Sequence, residues 1–241
     1  MTFIKDRPLL KLDTSTNPVA LWNFEGNLND SSGNGLTLTG APLKYTSYNQ
    51  DFITGAAMSG SASFTRTHTN LLTITGALSI EVIGSFVDNA ALQVLADCGG
   101  TGESLATNFV YRFGINPNGT LYLFWEYAAG TDQTISGDTS IGFVMPTYIG
   151  FSRSSDNPCT CNFYINGSSG GSGSLTPPSG GTSATHGICG YTGYTGSLFL
   201  VARGSVVSSI RITPEELSPQ HFKDTYNQCL AGISPFYPYL P

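Results

Sequence analysis

Glu25, Glu81 and Glu126 are each the lone acid on a short stretch of alternating apolar residues. Retaining glycosidases need two carboxyl groups about 5 to 5.5 Å apart. No cluster of acids on one strand supplies such a pair, and single hydrogen-bonded carboxylates account for all three. His68, His186 and His221 flank no nucleophile pattern, and neither a Gly-x-Ser-x-Gly elbow nor a phosphate loop occurs. The expectation is a protein that is not an enzyme. The five cysteines are irregularly spaced. Cys159 and Cys161, one residue apart, would share a face on a strand. No CxxC pair and no zinc spacing exists, and His186 three residues before Cys189 is the only suggestive pairing. Reduced, structural cysteines are expected. Sugar binding would use an aromatic platform with amides nearby, and Trp125, Tyr127, Tyr191 and Tyr194 are its candidates. Trp125 lies on a strand, where tryptophan is more often core. Tyr191 and Tyr194, in a Gly-rich run, are the stronger pair.

The elements that must position these residues are strands. Residues 19 to 24 alternate, with Val19 and Leu21 facing one way and Ala20, Trp22 and Phe24 the other. Asn29 to Gly35 is a polar turn, and Leu36 to Thr39 alternates again. Leu78 to Phe86 reads as a central strand with Leu78, Ile80, Val82 and Phe86 on one face. Residues 108–115 and 119–127 form a hairpin about the Asn118-Gly119 turn. On its second arm Leu121, Leu123 and Trp125 share one face. Tyr122, Phe124 and Glu126 share the other, which is apolar enough to face a groove or partner. Ala129 to Ser140 reads as loop, Leu71 to Ile74 as a short strand, and Pro146 limits 141–152 to an edge or a break. Residues 168–187, rich in Ser, Gly and Pro, read as a long surface loop. Thr213-Pro214-Glu215-Glu216 looks like a helix start. Ser218-Pro219 leads into a helix reaching about Ala231 and ended by Gly232.

A chain of 241 residues suits one β domain. Charged residues make up 11% of it, against about a quarter in average soluble proteins. Net charge is -6 with no basic run, which argues against nucleic acid as a partner. No run of 18 apolar residues is present, so no membrane-spanning helix is expected. Met1 to Pro8 lacks the apolar core of a signal peptide, so synthesis in a cytoplasm without export by that route is expected. Residues 1–18 read as an extended arm and 233–241 as a Pro/aromatic tail. Leu9, Leu10, Phe236, Tyr237 and Tyr239 are the candidate docking residues of these two ends.

Trp22-x-Phe24-Glu25-Gly26, followed by Leu28-x-Asp30-Ser31-Ser32-Gly33-Asn34-Gly35, resembles the opening of the concanavalin A-like, laminin-G-type jelly-roll family. Leu198 to Ala202, Ser208 to Ile212 and Thr213 to Ser218 are similar to its closing strand and short helix. The resemblance implies an all-β fold, a two-sheet antiparallel jelly-roll sandwich over residues 19–232 with a short C-terminal helix. Calcium is the family's common ion, and Asp30 is the one carboxylate of the matching loop; no cofactor is required. The family's usual acid before the last strand is replaced here by Ser208 and Ser209. Such modules occur in virions. The resemblance and the low charge together imply a structural subunit of a virion, such as a capsid decoration, head-fibre or tail protein. It would dock through its arms on other structural proteins or on copies of itself. The alternative is a carbohydrate-binding, lectin-like module with glycan partners, extracellular if a signal peptide has been trimmed.

Overall fold

A computed structural model describes residues 12, 14–42, 44–48, 53–60, 64–67, 69–88, 90–99, 110–128, 131–143, 146–178, 185–194 and 197–233. The side chains of 47–48, 53–54, 126–128, 185, 191–194, 197–199 and 231–233 fall outside that description. Leu9, Leu10, Phe236, Tyr237 and Tyr239 also lie outside the described residues.

The first strands are β1 (Ala20–Asn23), β2 (Lys44–Tyr48), β3 (Ile53–Ala57), β4 (Phe64–Thr67) and β5 (Leu78–Ser85). Then come β6 (Gln93–Cys98), β7 (Tyr111–Ile115), β8 (Thr120–Ala128), β9 (Thr131–Ser140) and β10 (Pro146–Arg153). β11 (Cys159–Ile165), β12 (Ser168–Leu175), β13 (Thr185–Ile188), β14 (Gly190–Tyr194), β15 (Ser197–Leu200) and β16 (Val206–Thr213) complete the strands, and α1 (Pro219–Ile233) closes the chain. One sheet has eight strands in the order β12-β11-β10-β5-β16-β3-β2, with β1 also paired to β16. The other has six, in the order β4-β13-β6-β7-β8-β9, and β14–β15 is a separate hairpin. Every pairing is antiparallel. The fold is the expected all-β two-sheet sandwich with a C-terminal helix.

Period-two alternation builds the core between the sheets. Leu78, Ile80 and Val82 of β5 and Ile210 and Ile212 of β16 point inward, as do Trp22 and Phe24. They meet Phe113, Leu121, Leu123 and Trp125 from the six-stranded sheet. Aromatic pairs join the layers, Phe24 to Phe64 at 5.3 Å and Phe113 to Phe151 at 5.0 Å between ring centroids. Each such ring contributes about 1.5–3 kcal/mol by leaving water. On the opposite face of the eight-stranded sheet, Leu21, Ile83, Tyr148, Tyr164 and Val206 pack under Phe222 of α1 and against Leu12. That makes a third layer.

Several elements differ from the sequence expectation. Residues 131–140 form a strand, because β9 is an edge strand whose polar side chains face solvent while half-buried Ile135 packs against the core. Low-complexity Ser168 to Leu175 is also a strand, turned back on β11 by Asn166 and Gly167, both at positive φ. Its glycines let it lie against β9, since a Cβ on Gly173 would stand 2.2 Å from Ile135. Pro146 opens an interior strand, the position where its missing donor costs least. Residues 70–72 are a turn. Thr213 ends β16 rather than capping a helix. The cap is Ser218, whose Oγ accepts from the His221 amide at 3.2 Å, and α1 runs two residues past Ala231.

Candidate functional site

The opening motif organises a loop. Asp30 Oδ1 accepts from the amides of Leu21 at 3.1 Å and Ser32 at 2.9 Å. Its Oδ2 accepts from Ser32 Oγ at 2.8 Å and the Leu36 amide at 2.9 Å. Four donors occupy this carboxylate, which ties the loop over the edge of β1. No group of three or more metal-binding side chains occurs among the described residues. Asp30 thus organises the turn through its carboxylate.

Trp125 requires a correction. It is fully buried, its indole N–H donates to the Thr176 carbonyl at 2.8 Å, and the Arg153 guanidinium lies 5.2 Å from its ring. It belongs to the core and offers no platform. Tyr127 lies in β8, and Tyr191 and Tyr194 in β14, but their side chains fall outside the described residues. His68 does as well, while His186 is buried and accepts from the Thr69 amide at 3.3 Å.

Two buried carboxylates lie on the two outer faces of the sandwich. On the eight-stranded sheet, Glu81 accepts from Arg211 twice, Nε to Oε2 at 2.7 Å and Nη2 to Oε1 at 2.8 Å. The Tyr148 hydroxyl donates to Oε1, and His221 Nε2 stands 3.1 Å from the same oxygen. Burial works to raise this carboxyl. The hydrogen bonds and charges of His221 and Arg211 outweigh it and hold Glu81 below its usual value. Helix α1 covers the network. Phe222 sits over Gly150, where a Cβ would come within 2.6 Å of its ring, and stacks on Tyr164 at 3.8 Å. The Glu81 carboxylate itself is fully buried beneath it.

The outer face of the six-stranded sheet is different. β6 and β7 place Asp97 opposite Arg112, β7 and β8 place Arg112 opposite Phe124 and Gly114 opposite Tyr122, and β8 and β9 add Ser136 and Thr134 in line. Arg112 Nε donates to Asp97 Oδ2 at 2.5 Å, and the guanidinium lies 5.4 Å from the Phe124 ring centroid. Burial pushes the Asp97 carboxyl up to about 6, against the pull of Arg112. Tyr122 lies across Gly114, where a Cβ would come within 2.6 Å of the ring. Its hydroxyl is buried, has no hydrogen-bond partner, and burial drives its pKa far up. At the β13 end the face is covered. The chain turns at Cys189 and Gly190, both at positive φ, and the β14–β15 hairpin packs on β6, leaving no room for a side chain on Gly187. At the β9 end it is open, with Phe124 half-buried and Asp132, Thr134 and Ser136 exposed. The result is a ledge, with aromatic rings and an ion pair at its wall and hydroxyls on its floor. Asn116 Nδ2 donates to Ser136 Oγ at 3.1 Å at the far end.

The outward side of Tyr122 and Phe124 was readable from alternation. The Asp97–Arg112 pair was not, because the two residues are 15 apart and meet only through the register of β6 on β7. The available signal was Arg112, a lone cation between Tyr111 and Phe113 that demands a partner.

No family model and no curated protein matches the sequence. Solved structures do match in fold. The botulinum neurotoxin serotype D/C VPI 5993 binding domain superposes with a TM-score of 0.66 at 15% identity, over 89% of this chain and 53% of that one. A botulinum neurotoxin type C structure, described as dependent for cell entry on two ganglioside molecules, gives 0.62 at 14%, over 87% and 50%. Domain 4 of AbnA, an extracellular arabinanase of Geobacillus stearothermophilus, solved with arabinotriose, gives 0.60 at 17%, over 87% and 98%. The chain spans about half the length of the neurotoxin chains. At these identities the likeness is one of fold. The expected virion role has no counterpart among these structures.

Proposed function

We propose that this domain is a non-enzymatic carbohydrate-binding module whose contact surface is the ledge on the outer face of the six-stranded sheet. The observation that carries the reading is the buried, unpartnered Tyr122 hydroxyl beside the Asp97–Arg112 pair, next to half-buried Phe124 and a floor of exposed hydroxyls. Sugars present both an apolar C–H face and a ring of hydroxyls. A surface that combines rings with fixed donors and acceptors meets both, and unpaired polar groups at its wall gain most from a ligand. The fold likeness to domains described with gangliosides and arabinotriose points to the same ligand class, by analogy of fold. The β14–β15 hairpin, which carries Tyr191 and Tyr194, borders the same face.

The test is an oligosaccharide array followed by calorimetry on the best ligand, with wild type beside Ser136→Trp. Ser136 is exposed, so the indole fills the ledge and leaves the core alone. Saturable binding that weakens at least tenfold, about 1.4 kcal/mol, in Ser136→Trp supports the reading. An array with no saturable ligand, or binding indifferent to Ser136→Trp, rejects it.

A further inference from the structure

Arg153 is a fully buried cation that no carboxylate among the described residues bonds. It stands in β10 opposite Cys161 of β11, so the two side chains leave the sheet on the same face. Its guanidinium donates to main-chain oxygens, those of Ile74, Gly76 and Val110, and lies over the Trp125 ring. Carbonyls solvate the charge without cancelling it, and a buried charge lacking a counter-ion is costly. The ionisable groups that act on it are three thiols and a phenol, those of Cys159, Cys161, Cys98 and Tyr111. Cys159 and Cys161 are one residue apart on β11, and both point into the core on the Arg153 side. Their sulfurs hydrogen-bond to each other. That bond, with the Arg153 charge, holds the Cys159 thiol down to about 7 against burial and leaves Cys161 far up. Cys159 opens its strand between exposed Pro158 and Thr160, opposite half-buried Leu175, so its cover is thin. Cys98 and Cys189 lie deeper, and burial pushes both thiols up.

We propose that Cys159 and Cys161 are a reactive thiol pair that a peroxide oxidises to a reversible bridge, with Arg153 supporting the ionised sulfur. The inference stands apart from the carbohydrate-binding reading. The Cys159 thiolate attacks one oxygen of hydrogen peroxide. An S–O bond forms, the O–O bond breaks, and the departing hydroxide takes a proton to become water. Cys161, facing Arg153, then attacks the sulfenic sulfur. The S–S bond forms, the S–O bond breaks, and the hydroxyl leaves as water with the Cys161 proton. Two thiols lose two electrons and two protons, and the peroxide is reduced to two waters. Residues two apart on a strand have Cα atoms about 6.4–6.8 Å apart, at the long end of the disulfide range, so the bridge closes within β11 and is easily reduced again. The neutral Cys159 thiol donates to the Leu175 carbonyl at 3.2 Å, and the bridge removes that donor.

The experiment reduces the full chain, removes the reductant and exposes the folded protein to hydrogen peroxide at neutral pH. The protein is then unfolded in iodoacetamide and mapped by peptide mass. The peptide holding Cys159 and Cys161 should lose two hydrogen atoms and resist alkylation until dithiothreitol is added. Its thiols should disappear about tenfold faster than those of Cys98 and Cys189, in proportion to the larger thiolate fraction. Cys161→Ser should abolish the bridge and carry Cys159 on to the sulfinic acid. If that variant fails to fold, the wild-type contrast among the buried cysteines decides alone. Cys159 and Cys161 alkylating in full while half-buried Cys229 is oxidised overturns the inference. So does loss of all the buried thiols at one rate, or a bridge that forms only after urea has unfolded the chain. Each of these results leaves the carbohydrate-binding reading untouched.

Discussion

The two outer faces of this sandwich each bury a carboxylate against an arginine, and they solve the same problem in opposite ways. On the eight-stranded sheet, Glu81 is clamped by two Arg211 nitrogens, bonded by Tyr148, approached by His221 and roofed by α1. Its oxygens are matched, and the carboxyl sits below its usual value. On the six-stranded sheet, Asp97 takes one Arg112 nitrogen, burial prevails, and the carboxyl rises to about 6. A buried charge fully surrounded by donors is architecture. A buried charge held by one side-chain contact and the Gly99 amide, beside an unpartnered Tyr122 hydroxyl and an open floor, has capacity left for a ligand. Fold class alone does not separate these faces; the number of partners on each carboxylate does.

The comparison is broken most forcefully at Glu81. Removing one charge of a closed buried pair costs about 3–5 kcal/mol. Glu81→Gln should lose that much in urea unfolding at pH 7, and a loss under 1 kcal/mol would place the network among exposed pairs. Phe222→Ala should cost about 3 kcal/mol by opening a cavity over Gly150 and Tyr164. Glycan affinity should remain unchanged, because that roof belongs to the other face.

The pH dependence separates the two carboxylates by sign. Glu81 has a folded value below its usual 4.5, so its contribution is present above that value and is lost as pH falls through the folded one. Asp97 has a folded value of about 6 against 3.8. Its contribution is full below 3.8 and is lost as pH rises through about 6, a fall of up to about 3 kcal/mol. Stability curves against pH should lose their acid limb in Glu81→Gln. They should lose the decline between pH 4 and 6 in Asp97→Asn, and identical curves for the two variants would erase the distinction. The smallest stability effect belongs to Ser136→Trp, within about 0.5 kcal/mol on an exposed strand, although it should cost the most in binding.

Much of this fold was legible where side chains alternate. Trp22 and Phe24 in, Leu21 out, Leu78, Ile80 and Val82 in, and Leu121, Leu123 and Trp125 in against Tyr122 and Phe124 out all follow from period two. Alternation fails where both faces are polar. β9 and β12 are edge strands made of Ser, Thr, Asp and Gly, whose pairing comes from backbone hydrogen bonds and close approach rather than apolar burial. They therefore read as loops, and β9 forms the floor of the ledge. The chemical wall was hidden for a related reason. Asp97 and Arg112 are 15 residues apart and meet only through the register of β6 on β7, which local spacing does not encode. Trp125, conspicuous as an aromatic, is withdrawn into the core by its bond to Thr176 and its stacking on Arg153.

The most direct test of the ledge is amide chemical-shift mapping during titration with the tightest oligosaccharide from the array. The account predicts shifts concentrated on Arg112 to Gly114, Tyr122 to Phe124 and Thr134 to Ser136, with α1 silent. Shifts confined to α1 and the eight-stranded sheet, or to residues 190–200 without β7, β8 and β9, would contradict it.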